Sequence, residues 1–412
     1  MTSCPKRFPG FLVVLAVSVL LSSRLELRSA ETSKEKVRLR TFDVVWKTVN
    51  EKYFDPSFGG ADWASIRERY SPQIAMVRTD LEFYELLHRM LGEIKISHLR
   101  ILDLATVDKL VARAEVARGL TLRNVDNQVV VTRIIEDSPA AKAGLRLGFV
   151  VQAIDGVPVD NARNAERKLA NDDENHRLAI LDESDIKREV EIGHWLPPAH
   201  KLDSVPILTG TRRVLIETRR LGGDIGYIHF TNFIDPMPKV FTAFDSIRDT
   251  RGMIIDLRGN SGGDTEVGLA VAGLLLDKET QISITRTRKG DNYDYKAKPH
   301  KNSYRGPVVI LLDEESASQS EETTAGLQAA GRVVVIGKTS RGEDMDATFQ
   351  QLPMNSIALL YPVGQPRTSK GVVIEGRGVI PDIEVSLTRA ELLRGSDSQL
   401  EAARQYIIGL AQ

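Results

Sequence analysis

The sequence predicts an α/β protein with a helical N-terminal part, a middle part of short strands, and a core in which strands and helices alternate. Three observations carry this. Residues 37–95 hold apolar side chains at three- and four-residue spacings. From about 103 to 200 the apolar runs shorten to strand length and are broken by turn residues. Across 223–386, apolar runs of strand length alternate with stretches of helix length.

The elements follow in order. Lys6 and Arg7 precede the apolar run "FLVVLAVSVLL", and small polar residues follow. That is the pattern of a secretory signal, assigned to residues 1–30. The run is short of the roughly 20 apolar residues of a membrane span, and an uncleaved N-terminal anchor is the alternative. Residues 31–102 form the helical domain. In it "TFDVVWKTVNEKYF" aligns Phe42, Val45, Trp46, Val49 and Tyr53 on one face, and "DLEFYELLHRMLGEI" repeats the pattern with Asp80 as its N-cap.

Residues 103–200 make a second domain. "GLTLRNVDNQVVVTRII" reads as two strands about an Asn/Asp-rich turn. Ser138 caps a short helix with Pro139 at its first position. Val130, Ile134, Leu145 and Ile154 are core or pocket-wall candidates. Residues 201–390 are the α/β core, with strands at "IGYIHF", "GMIIDL", "PVVILL" and "RVVVIG" and helices at 237–249, 264–277 and 320–330. Residues 391–412 are a terminal helix.

Composition narrows the function. The 55 basic and 56 acidic residues nearly balance and no basic stripe stands out, which argues against a nucleic-acid partner. Cys4, the single cysteine, precedes the apolar run. A mature chain without it excludes disulfides, thiolate catalysis and cysteine-ligated metals. The seven histidines show no metal-ligand spacing, so no metal or other cofactor is implied.

The stretch "ILLDEESASQSEETTAGL" places Ser316, Ser318 and Ser320 where a buried strand ends and a helix begins. Such a junction exposes backbone N–H groups and can present a nucleophilic serine. Serine is equally a favoured N-cap, and the stretch alone does not separate the two.

Four stretches together make the chain resemble the C-terminal processing, or tail-specific, serine peptidases: "IGYIHFTNF", "GMIIDLRGNSGGD", "DEESASQSEETTAGLQAAGR" and "VIEGRGVIPDIEV". The middle domain resembles the PDZ module of that family through "GLTL" and "SPAAKAGLRLGFVVQAIDGVPV". The resemblance spans about residues 38–390. It implies a ClpP/crotonase-like core sheet with an inserted PDZ domain, and Ser318 as nucleophile. Ser316 would then be structural at the strand end and Ser320 a helix cap. The N–H groups of Gln319 and of Gly262 or Gly263 would form the oxyanion hole, and Gly119, Leu120, Thr121 and Leu122 would hold a peptide carboxylate.

Serine needs a base. One branch of the family uses a lysine some 25 residues after the serine; here "SRGEDM" puts Glu343 at that position, and Ala329 matches the aspartate of the intervening helix. The branch resembling the tricorn core protease takes a histidine that follows a serine, and this chain has Ser97 and His98 in "KISHLR". Glu375 matches the glutamate of that branch's tetrad. His98 alone could be a helix-end histidine satisfying a carbonyl.

The expectation is an exported serine endopeptidase, periplasmic or extracellular, acting on polypeptides recruited through their C-termini. Ser318 would be nucleophile, His98 base, and Ser97 and Glu375 orienting groups. Two rivals stand beside it: an inactive homologue that binds peptides through its PDZ domain, and an enzyme using Lys338 or Lys370 as base. Substrate and oligomeric state are not legible.

Overall fold

The computed structural model describes residues 33–104, 114–170, 174–195, 202–207, 210–234 and 238–410. The secretory signal and anchor readings fall on residues 1–30, outside the described residues. The chain divides into two compact units: residues up to Lys95 with Leu99–Leu102 and Phe349–Tyr361, and Ile96–His98 with Asp103–Thr348 and Pro362–Gln412.

The first unit is built on a helix over residues 33–52 and the helices Trp63–Tyr70 and Asp80–Leu91. Phe42, Val45, Val49 and Tyr53 are buried, as their spacing predicts. Trp46 and Trp63 exchange indole N–H to carbonyl bonds of 3.0 and 3.1 Å, satisfying two polar groups that would otherwise be buried unpaired. The expected cap at Asp80 is one residue out. Thr79 is the N-cap, and its hydroxyl and Glu82 form a reciprocal capping box. Asp80 instead sits in the first turn, where its charge suits the helix dipole.

The second unit contains a seven-stranded sheet. Its order is Ile383–Glu384, Val334–Gly337, Val308–Leu312, Gly252–Asp256, Ile225–Phe230, Gly210–Leu221 and Leu202–Ile207. The first five are parallel neighbours and the last two pair antiparallel. Gly252–Asp256 and Val308–Leu312 are buried at every position, which is why residues 252–255 and 308–312 read as apolar runs. One face packs on the helices Pro238–Asp245, Thr265–Gly273 and Gln319–Ala329, through Val240, Phe244, Val267, Val271 and Leu327. The other meets Ala403 and Ile407 of the helix Ser398–Gly409. Three consecutive parallel strands release their loops at the same edge: Leu257–Gly263, Asp313–Ser318 and Lys338–Asp344. Crevices beyond the carboxyl ends of such strands are the usual ligand position in α/β folds.

The middle sheet has the order Leu120–Val125, Gln128–Ile134, Val150–Ile154, His176–Leu181 and Lys187–Ile192, with Val157–Pro158 beside Val150–Ile154. Its core includes Leu120, Leu122, Leu145, Ile154 and Leu169, with Ile134 packed at the margin. Val130 is buried on the opposite face with Val125 and Leu392. Asp126 and Asn127 both take positive φ, 51° and 60°, in the two-residue turn that joins the first two strands.

Candidate active site

The loop after Val308–Leu312 is held by its own polar side chains. Asp313 Oδ1 accepts from Gly259 N–H at 2.8 Å and Glu315 N–H at 3.1 Å. Ser316 Oγ donates to Leu257 O at 2.9 Å and accepts Asp313 N–H at 3.0 Å, closing the strand end as expected. Burial alone would raise the Asp313 carboxyl, but the Arg123 guanidinium beside it holds it below the ordinary carboxylate range.

Ser318 occupies the N-cap position of the helix Gln319–Ala329, with φ 55° and ψ −125°. A serine adopts that backbone only where its surroundings impose it. Its N–H reaches Glu343 O and Glu321 Oε2, both at 2.9 Å. Ser320 lies one residue inside the helix and does not cap it. Its hydroxyl donates to Asn260, with O at 3.0 Å and Oδ1 at 2.8 Å, because its side chain faces the neighbouring loop. Of the three serines, only Ser318 is not buried.

Glu321 is fully buried and is the hub of this region. Oε1 accepts from Ser340 Oγ and Gly342 N–H, each at 2.6 Å; Oε2 accepts from Ser318 N–H at 2.9 Å and Glu343 N–H at 3.0 Å. Burial pushes its carboxyl above the ordinary value, opposed by those donors. Sequence reading passed over Glu321, although a Ser followed three residues later by Glu is a capping-box signal. Asn260 was missed as well. It bonds Phe230 O, Gly262 N–H and Ser320 Oγ within "DLRGNSGG", and no spacing rule marks it.

Gly262 packs against the Ser318 loop; a Cβ there would stand 2.6 Å from Gln319 N and 2.7 Å from Ser318 Cβ. The two glycines are not equivalent as donors, however. Gly262 N–H is committed to Asn260 Oδ1 at 2.9 Å, whereas Gly263 N–H and Gln319 N–H donate to no protein acceptor among the described residues.

Ser97 and His98 belong to the second unit, with Ser318 and Glu375. Ser97 Oγ lies 2.7 Å from His98 Nδ1 and 2.8 Å from Glu375 Oε2, and Ser97 N–H donates to Glu375 Oε1 at 2.7 Å. The hydroxyl has one proton. Directed to the Glu375 carboxylate, it leaves Ser97 Oγ to accept from His98 Nδ1–H. A neutral imidazole in that tautomer has its acceptor nitrogen at Nε2. His98 has φ 58°, a left-handed conformation in the turn that presents it.

The loop that holds a lysine in the other branch connects both groups here. Glu343 O receives Ser318 N–H, while the next residue, Asp344, donates its N–H to Glu375 Oε2 at 2.8 Å. Gly342 (φ 74°) lets this loop pass close to the Glu375 loop, accepting Gly376 N–H at 2.8 Å; a Cβ would stand 2.9 Å from Gly378 N. Asp344 is buried, and burial with the surrounding Glu322, Glu321, Asp346 and Glu375 carboxyls holds it well above the usual range.

Of the two lysine candidates, one is paired elsewhere and one is exposed. Lys338 Nζ binds Glu384 Oε1 at 2.6 Å, and Lys370 is exposed. His229 is buried against Asp256 O and Glu115, and His176 against Asp155. Among the described residues no three His, Cys, Asp or Glu side chains gather as a metal-ligand set. Gly119–Leu122 lead into the edge strand of the middle sheet. Of the four residues expected to hold a peptide carboxylate, Leu122 needs correction: its N–H is already bonded to Glu166 Oε1 at 2.8 Å.

Family models match three segments: peptidase family S41 over residues 224–385, the tricorn protease C1 domain over 35–92, and the PDZ domain over 117–181. Residues 224–385 thus carry a peptidase family S41 domain. The chain is a serine-type peptidase. It is 25% identical over 415 residues to the carboxyl-terminal-processing protease of Synechocystis sp., covering 96% of this chain and 93% of that one. It is 26% identical to the putative tricorn protease homolog 2 of Streptomyces coelicolor, over 90% of this chain but 32% of that longer protein. The fold is shared with the photosystem II D1 C-terminal processing protease, at TM-score 0.58 and 22% identity over 88% of this chain and 98% of that one.

Proposed function

We propose that this S41 peptidase is an exported endopeptidase that works through a serine–histidine pair, with Ser318 as nucleophile, His98 as general base, and Ser97 and Glu375 orienting the imidazole. The observation that carries the reading is the hydrogen-bonded chain from Glu375 through Ser97 to His98, with Glu343 standing where a lysine base would be. The match to the tricorn C1 domain supports the same branch.

In the reaction, Ser318 Oγ attacks the scissile carbonyl carbon while His98 Nε2 takes the hydroxyl proton. The imidazolium is steadied at Nδ1–H by Ser97, whose own proton points to Glu375. The oxyanion forms against Gly263 and Gln319 N–H, the two donors with no competing acceptor. Collapse of the tetrahedral intermediate breaks the C–N bond, and His98 protonates the leaving amine. Water, deprotonated by His98, then hydrolyses the acyl-enzyme and restores Ser318.

Export rests on the basic start and apolar run near the N-terminus. No helix among the described residues is long and apolar enough to cross a membrane. Recruitment of chain ends by the PDZ domain rests on its family match and on relatives named as carboxyl-terminal-processing proteases.

The test is hydrolysis of unfolded casein together with labelling by a serine-reactive phosphonate. Ser318→Ala should lose both. Ser316→Ala and Ser320→Ala should keep both but melt lower, each having lost a buried hydroxyl worth about 1–3 kcal/mol. Labelling that persists in Ser318→Ala overturns the nucleophile assignment.

A further inference from the structure

A peptide recruited by the PDZ domain would add to the free edge of the strand Leu120–Val125, which ends the middle sheet. That edge is already filled from within. Leu122 N–H donates to Glu166 Oε1 at 2.8 Å, and Leu122 O accepts Arg123 Nη1 at 2.7 Å. The same Nη1 lies 3.1 Å from Glu166 Oε1, so both backbone groups of Leu122 and the nearest cation are bound to one another's partners.

Glu166 comes from the helix Ala162–Ala170, which is fastened at two further points, one to the edge strand and one to the short helix Ala114–Arg118 before it. Ala162 N–H donates to Asn124 Oδ1 at 3.0 Å near the start of the helix. Near its end, Leu169 O accepts Arg118 Nε at 2.8 Å, from an arginine that is fully buried. A peptide strand cannot enter between this helix and this edge while the clasps hold. The central clasp is also chemically particular: a carboxylate, seated on a backbone N–H and a guanidinium, is what the end of a polypeptide would offer there.

We propose that Glu166 is an internal stand-in for the terminal carboxylate of a polypeptide substrate, closing the PDZ groove until a free chain end displaces it. The proposal rests on the reading of this domain as the recruiting one. Arg123 remains in place when Glu166 leaves, because its Nε is held by Asp313 Oδ2 at 2.5 Å. Displacement therefore leaves the Leu122 N–H and one side of a buried guanidinium without Glu166, a pair of donors that an anion satisfies better than a neutral acceptor. An incoming carboxylate preserves the local charge balance. A chain ending in an amide does not.

The test uses the full chain carrying Ser318→Ala, so that the probe is not cleaved. A fluorescein-labelled ten-residue peptide ending in Ala-Leu-Val is titrated as the free acid and as the C-terminal amide. The parent should bind the acid weakly. Adding Glu166→Gln removes the anionic competitor and should tighten the acid about tenfold or more, the usual worth of a charge-assisted hydrogen bond, with the amide unchanged. Hydrogen exchange at the Leu122 amide gives a second reading. It should quicken in Glu166→Ala and slow again on adding the acid peptide. If the parent already prefers the acid strongly and Glu166→Gln leaves its affinity unchanged, recruitment stands and the stand-in is refuted. If neither peptide binds either protein, both readings fall.

Discussion

Replacing Glu321 by Gln tests whether the placement of Ser318, the proposed nucleophile, depends on one buried carboxylate. The four donors it accepts come from Ser318, Ser340, Gly342 and Glu343. An amide of the same shape offers one oxygen and one NH2 group, so one of the two donor pairs must face another donor. If the NH2 turns toward Ser340 and Gly342, the hydroxyl can rotate to accept but Gly342 N–H is orphaned. If it turns the other way, Ser318 N–H keeps Glu343 O and Glu343 N–H is orphaned. Either orientation leaves one buried N–H unpaired, at about 1–3 kcal/mol, and loses the charge assistance on the rest. Total destabilisation of about 2–4 kcal/mol follows. The loop that sets Ser318 loosens with it, and a displacement near 1 Å at a nucleophile costs on the order of 10²-fold in rate. The assay pairs kcat/KM on a quenched fluorescent peptide with a urea melt. The loss should lie mainly in kcat, with phosphonate labelling slowed in parallel. A variant that melts like the parent and retains kcat/KM within threefold would refute the argument that these bonds position Ser318.

Other outcomes follow from the same geometry. His98→Ala should lower kcat by about 10²–10⁴-fold, while Lys338→Ala and Lys370→Ala stay near the parent rate; a dead lysine variant beside an active His98→Ala reverses the base assignment. Parent activity should decline toward acid pH as the imidazole takes a proton, and a flat rate from pH 5 to pH 8 would count against a histidine base. Burial and the neighbouring Asp346 carboxyl push Glu322 up to about 7, against its bond to Ser283. The folded protein thus keeps a proton that the unfolded chain releases above about 4.5, so stability falls as pH rises from there, with the loss complete above pH 7. The loss amounts to about 3 kcal/mol. Glu322→Gln should flatten that slope in melts run from pH 4 to pH 8, and an unaltered slope would assign it to other groups.

The core was legible because its strands are buried on both faces. "PVVILL" has no polar residue and "GMIIDL" only Asp256 at the strand's end, as strands buried on both faces of a parallel sheet require. The helical face of Phe42, Val45 and Val49 was legible for the corresponding reason, a stripe with one period. Cap positions were less so: Thr79 and Asp80 are both good N-caps, and only the reciprocal bond with Glu82 separates them. The candidate site divides in the same way. Ser318 stands at a junction that chain chemistry marks, whereas Ser97, His98 and Glu375 carry no local signal and were reached through family resemblance alone.

What stayed hidden are pairings across long sequence separation. Glu321, Glu322, Asp344 and Asp346 look like ordinary solvated acids in "SEETT" and "GEDMD", yet Glu321, Glu322 and Asp344 are buried. Burying that many carboxyls together is costly unless some are neutral and others are richly hydrogen-bonded. The structure uses both means. Glu321 has four donors, while Asp344 and Glu322 are raised toward their protonated forms. The cost is incurred where three strand-end loops meet, and a hydrophobic cluster could not hold their backbone N–H groups in register. Glu343 shows how the proposed mechanism could take its base from elsewhere. Its backbone, not its side chain, carries the connection, accepting from Ser318 and donating to Glu321, while the N–H of the next residue holds Glu375. A loop that acts through its main chain can give up a lysine without losing its architectural part, provided a base arrives from elsewhere, and on the proposed mechanism the segment Ile96–His98 brings it, bonded through Ser97 to Glu375.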